Sequence, residues 1–95
     1  MSVTVELSER IRLAPLPFIA ARIKRARKAR GLSHDRLAEL TGTSRQHLIK
    51  LEQAKHRPRS EMLTNIATAT ERELDWFLDP EVDPSPFPDD EELAA

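Results

Sequence analysis

The chain has 95 residues, 39% of them hydrophobic, with three Phe and one Trp as its aromatics, which suits a single small domain whose core is built mainly from Leu, Ile and Ala. Without cysteine, neither a disulfide framework nor a thiolate metal site is available, and no apolar run approaches membrane-spanning length. The formal net charge of -1 conceals a separation of signs: residues 10–59 carry 14 Lys and Arg against 3 acids (Asp35, Glu39, Glu52), a local balance of +11, whereas residues 79–95 carry 7 acids and no base.

A cationic block of this kind is either a nucleic-acid-binding surface or an ordinary solvated face. The amino terminus starts with Ser, Thr and Glu rather than with a charged region followed by a greasy one, so neither export nor membrane insertion is expected. The expected address is the cytoplasm, with association to the nucleoid if the basic block binds DNA.

Val3, Val5 and Leu7 alternate with polar residues, a weak strand signature that needs a partner edge or else remains an arm. Pro15 and Pro17 discourage helix before Phe18, so residues 1–17 read as an amino-terminal arm or linker. The first predicted helix runs from about Phe18 to Arg30, on Ile19, Ile23 and Ala26 at helical spacing, with Gly31 as its left-handed stop. Lys24, Arg25, Lys28 and Arg30 fall largely on its solvent side.

Ser33 is the expected N-cap of the second predicted helix, with Asp35 near the positive end of its dipole and Leu37, Ala38 and Leu40 turned inward. Gly42, in Thr41-Gly42-Thr43, supplies a sharp turn. Ser44 caps the third predicted helix, which extends to about Gln53. At about 100° per residue, Leu48 and Leu51 point one way and Gln46, Ile49, Lys50 and Gln53 the other, with Arg45 and His47 flanking. After the basic loop Lys55-His56-Arg57-Pro58-Arg59, a fourth helix starts near Ser60 and buries Met62, Leu63, Ile66 and Ala67. A short fifth, about Glu73 to Leu78, offers Leu74, Trp76, Phe77 and Leu78. Residues 79–95, with Pro80, Pro84, Pro86 and Pro88 among the acids, form a tail with too little apolar surface to offset its ordering entropy, and disorder is expected there.

Catalysis finds no constellation. His34, His47 and His56 lack close carboxylate partners at ligand spacing, there is no Gly-rich phosphate loop, and no Ser lies in a nucleophile motif. No enzyme activity, metal or cofactor is expected.

Two short apolar-patterned stretches joined by a Gly turn, with cationic and amide side chains on the second, are the arrangement by which a protein reads duplex DNA. Residues 19–78 resemble the lambda-repressor-like, Cro/C1-type (XRE) helix-turn-helix family, and phage 434-type repressors in particular. The resemblance rests on Ile23 through Arg27, Gly31-Leu32-Ser33, Leu37-Ala38-Glu39, Thr41-Gly42-Thr43-Ser44, Leu48, Leu51-Glu52, Pro58, Leu63, Ile66-Ala67 and Leu74-Asp75-Trp76. It implies an all-α, five-helix DNA-binding domain over residues 18–78, with the extended arm before it and the acidic tail after it.

The resemblance also implies that the third predicted helix enters the major groove. Arg45 and Lys50 can donate to guanine O6 and N7, and Gln46 can pair with adenine N6 and N7. Ile49 either touches a thymine methyl or is a tolerated exposed aliphatic. Backbone contacts are expected from the start of the second helix with His34, and from Thr43, Ser44, His47 and Gln53. Lys55, Arg57 and Arg59 lie where the loop follows the phosphates, and Arg59 can enter a narrowed minor groove; the alternative for this loop is a solvated basic turn. Arg27 and Glu52 stand where the family has a structural ion pair behind the reading face.

The chain departs from the family at His34, where Gln is common, at Ala54, where Gly is usual, and at Thr70-Glu71, where a Leu-Gly pair ends the helix. The fourth helix is therefore expected to run towards the fifth without a clean break. A homodimer on a near-palindromic operator is expected, with Trp76 and Phe77 as interface candidates, one facing inward and the other the partner; closing the core is their alternative. The Val3 to Leu7 segment could pair with its symmetry mate as an added strand. The functions implied are a repressor that occludes a promoter or, alternatively, an antitoxin-type module that neutralises a toxin and represses its own operon, for which the acidic tail would hold the partner protein.

Overall fold

A computed structural model describes residues 6–81, and the described residues form six helices and no strand. They are α1 (Leu7–Leu13), α2 (Leu16–Ala29), α3 (His34–Thr41), α4 (Arg45–Glu52), α5 (Ser60–Thr70) and α6 (Leu74–Leu78). The expected strand pairing of Val3 and Val5, and most of the acidic tail, lie outside the described residues.

The segment expected as an arm or linker contains α1. Leu7, Ile11 and Ala14 recur at the four-then-three spacing of one helical face, and all three pack on the core, Ile11 at 2% exposure. Leu7, where the alternation from Val3 ends, thus belongs to the helical period. Helix α2 begins at Leu16, two residues earlier than expected, because Pro17 sits in its first turn, where a missing N–H costs nothing.

Local chemistry sets the middle of the chain. The Ser33 hydroxyl accepts from the Arg36 N–H at 3.0 Å and the Ser44 hydroxyl from the His47 N–H at 3.0 Å, so each cap satisfies one donor that its helix leaves open. Gly42, between them, takes a left-handed φ of 75°, which turns α3 sharply into α4. Buried Thr41 completes the inner stripe of α3 with Leu37 and Ala38. Leu40, expected to point inward, is instead 45% exposed, because it lies about 60° off that stripe.

Ile19, Ile23, Leu37, Leu48, Leu51, Leu63, Ile66 and Phe77 are fully buried and join all the long helices in one core. Helix α3 packs on α4 and α5, and α2 packs on α4, α5 and α6. Met62, expected in the core, is only half-buried at its edge.

The passage from α5 to α6 is a clean break, correcting the expectation of a continuous run. Glu71 adopts φ 61° and ψ 42°, the left-handed stop that Gly normally supplies, and Arg72 N–H closes the turn on the Ala67 carbonyl at 2.9 Å. Ala54 does the same after α4, with φ 61°. Both residues accept a conformation that costs an L side chain about 1–2 kcal/mol.

Candidate nucleic-acid interface

Helix α4 divides cleanly. Leu48 and Leu51 have no exposure, whereas Arg45, Gln46, Lys50 and Gln53 are exposed, and Ile49 and His47 are half-buried beside them. The inner pair anchors the helix to α2 and α3, and the outer face is left as a row of donors with an amide in it. Arg45 Nε lies 3.4 Å from Asp35 Oδ1 at the start of α3, with side chains 59% and 79% exposed, a contact that water screens to little net energy. It leaves the guanidinium within reach of other acceptors.

Behind this face, Arg27 of α2 holds Glu52 in a two-pronged pair, Nε to Oε2 at 2.7 Å and Nη2 to Oε1 at 3.1 Å. Arg27 Nη1 also donates to the Leu32 carbonyl at 2.9 Å, which ties in the turn before α3. His34 Nε2 lies 3.0 Å from Glu52 Oε1, so the side chain that differs from the family is turned to the back of α4. What His34 leaves for an anion is chiefly the run of backbone N–H groups at the start of α3.

The α4–α5 loop returns alongside this surface. Lys55 and Arg59 are exposed, and the ring of His56 stands edge-on to that of His47 with centroids 5.8 Å apart. Thr43, His47, His56, Arg57 and Arg59 together line a groove of about 550 Å³ between the Gly42 turn and the start of α5.

Arg57 has an intramolecular partner that the loop sequence does not announce. Its Nη1 donates to the carbonyls of Ile11 at 2.7 Å and Ala14 at 2.6 Å, at the end of α1. Those carbonyls need a donor because Pro15 and Pro17 remove the N–H groups that would serve them locally. One end of the guanidinium is thus engaged within the chain, while the residue as a whole stays exposed beside the groove.

The expected dimer contact at Trp76 and Phe77 is also corrected. Trp76 is 3% exposed and Phe77 fully buried, and their rings meet edge to face at 5.1 Å. The Arg22 guanidinium lies 4.4 Å from the Trp76 ring centroid and 4.7 Å from that of Phe18, and donates to the Trp76 carbonyl at 2.9 Å. Both large aromatics close the monomer core.

Among the described residues no group of three or more His, Cys, Asp or Glu side chains could hold a metal ion. No helix among them is long and apolar enough to cross a membrane.

Comparison with known proteins agrees with this geometry. Over 62 residues, 65% of its length, the chain is 39% identical to an HTH-type transcriptional regulator of Rickettsia conorii, and it spans 50% of that protein. The chain thus covers about half the length of the curated relatives it matches. Among solved structures it is similar to an HTH_3 family transcriptional regulator from Vibrio cholerae, with 35% identity and a TM-score of 0.64 over 85% of this chain and 47% of that one. It is also similar to the restriction-modification controller protein C.AhdI from Aeromonas hydrophila, with 27% identity and a TM-score of 0.63 over 65% of this chain and 94% of that one. Residues 23–77, which hold α3, the Gly42 turn and α4, match the HTH_3 helix-turn-helix model, and the chain belongs to that family, the Cro/C1 type.

Proposed function

We propose that the protein is a sequence-specific, double-stranded DNA-binding transcription regulator, acting as a repressor that occludes a promoter by placing α4 in the major groove. The observation that carries the reading is the division of α4: Arg45, Gln46 and Lys50 stand exposed while Leu48 and Leu51 are fully buried. An outward row of donors on a helix braced from behind is what reading base edges requires. The regulators to which the chain is similar support the same reading.

In this reading Arg45, Gln46 and Lys50 address bases and Ile49 lies against a thymine methyl. Thr43, Ser44, His47, Gln53, Lys55 and Arg59, with the N–H groups around His34, follow the phosphates. One such module buries too little surface for selective binding, so two copies, about 34 Å or 10 base pairs apart, share the operator. With Trp76 and Phe77 inside the core, the two copies meet through other surfaces. Selection of bound duplexes from a random pool, followed by sedimentation of the complex, tests this. A near-palindrome carrying two copies is the expected result, and a protein that prefers no duplex over any other at moderate salt refutes it.

A further inference from the structure

We propose that α1, which precedes the family-matched region, is part of the DNA-binding apparatus, and that Arg57 is the positioning residue through which it acts. The inference rests on the reading of α4 as a DNA-binding helix, but concerns a different part of the molecule. Three observations carry it.

First, the acceptors on α1 are created by the chain itself. Ile11 would ordinarily receive the N–H of residue 15 and Ala14 the N–H of residue 17 or 18. Residues 15 and 17 are prolines, and the Phe18 N–H goes to the Pro15 carbonyl at 3.1 Å. A donor must therefore come from elsewhere, and Arg57 supplies it at 2.7 and 2.6 Å. The Ile11 carbonyl also lies at the negative end of α1, which favours a cation.

Second, the α4–α5 loop has few other constraints in its middle. Its first turn is set by the left-handed Ala54 and by the Lys55 N–H, which donates to the Lys50 carbonyl at 3.0 Å; its end is set by buried Pro58. Between these points the loop meets other elements through the edge-on contact of the His56 ring with His47 of α4 and through the Arg57 hydrogen bonds to Ile11 and Ala14, so α1 helps to determine where the adjoining side chains stand.

Third, α1 is itself firmly seated. Ile11 is 2% exposed in the core, and Arg10 Nη2 lies 2.8 Å from Asp75 Oδ1 of α6. A fixed helix can hold a loop; a loosely attached one cannot. Lys55 and Arg59, exposed on either side of Arg57, are thereby presented to the backbone of a duplex.

The test measures binding of the full chain to its selected duplex across a salt series, for the parent, Arg57→Met, Arg57→Lys, Lys55→Ala and the Arg57→Met/Lys55→Ala pair. Amide exchange is followed in α1 and the loop, and Trp76 fluorescence in urea reports that each variant is folded. A single lost phosphate contact lowers the log–log salt slope by about 0.9. Arg57→Met is expected to lower it by more than that, and adding Lys55→Ala should then change little. Amides of α1 and of the loop should exchange faster together, and Arg57→Lys, which can still donate to both carbonyls, should restore much of the slope.

Additive slope changes with unaltered exchange in α1 would mean that Arg57 touches phosphate directly, and the inference fails. Parent-like exchange and binding in Arg57→Met would also sink it, leaving the DNA-binding reading intact. If the parent chain selects no duplex at all, the failure lies in the proposed function instead.

Discussion

Arg27 and Glu52 meet in a bidentate ion pair behind α4, 2.7 Å at the shorter contact, with side chains only 9% and 5% exposed. The pair joins α2 to the last turn of α4 and, through Arg27 Nη1 and the Leu32 carbonyl, to the turn that leads into α3. Its geometry sets the angle at which the outer face of α4 is presented. Removing one partner leaves a charge buried and unanswered, so Glu52→Ala should cost about 3–5 kcal/mol. Replacing both with apolar residues, Arg27→Met with Glu52→Leu, should cost less than Glu52→Ala alone, yet still reduce duplex selectivity. Urea melts and duplex titrations of the single and double variants check both points.

On the reading face, Gln46→Ala and Lys50→Ala are each expected to relax base preference at one operator position by about 1–3 kcal/mol, with non-specific affinity nearly unchanged. Repeating duplex selection with each variant reads this directly. Loss of affinity that is equal at every position would place these side chains on the backbone instead.

Arg59→Ala should weaken all duplexes alike and lower the salt slope by about 0.9. If Arg59 enters a narrowed minor groove, the loss should be greatest on duplexes with an A·T tract between the half-sites. Titration against two operators that differ only in that central segment separates the outcomes.

The left-handed positions offer a gain rather than a loss. Ala54, at φ 61°, meets no need for a side chain at that turn, and Ala54→Gly should stabilise the fold by about 0.5–1 kcal/mol once the looser unfolded chain is counted. For a domain of this size that is a rise in melting temperature of roughly 2–8 °C. Glu71→Gly should gain less, because it also removes the exposed contact of Glu71 Oε2 with Arg30 Nη2 at 3.0 Å. Calorimetry on the two variants, which differ in that ion pair, tests the ordering.

Phe77→Ala should destabilise by about 3–5 kcal/mol, the cost of an emptied core site. A folded monomer of near-parent stability would instead return Phe77 to an intersubunit contact. Sedimentation together with a thermal melt distinguishes the two.

The middle of the chain was legible because its structure is decided by neighbours in sequence. Ser33 and Ser44 cap their helices three residues ahead, Gly31 and Gly42 need no Cβ in a left-handed turn, and Leu48 and Leu51 fall on one side of a helix by spacing alone. The amino end was misread because two periods overlap at Leu7, and the longer one, through Ile11 and Ala14, is recognised only once there is a core for it to face. The Arg57 hydrogen bonds to α1 are illegible for a different reason: the acceptors lie 46 and 43 residues away, and nothing in a basic loop announces them.

By itself the sequence determined that five helices lie between residues 18 and 78, the Ser33 and Ser44 caps, the Gly31 and Gly42 turns, and the side chains that α4 turns outward, since these follow from short-range hydrogen bonding and from the 3.6-residue repeat. Only the tertiary structure decided that Trp76 and Phe77 belong to the core, that α1 is a helix seated on it, and that Arg57 serves that helix. In each case the deciding partner is brought close by folding, and a side chain's role is set by what it meets there rather than by its type.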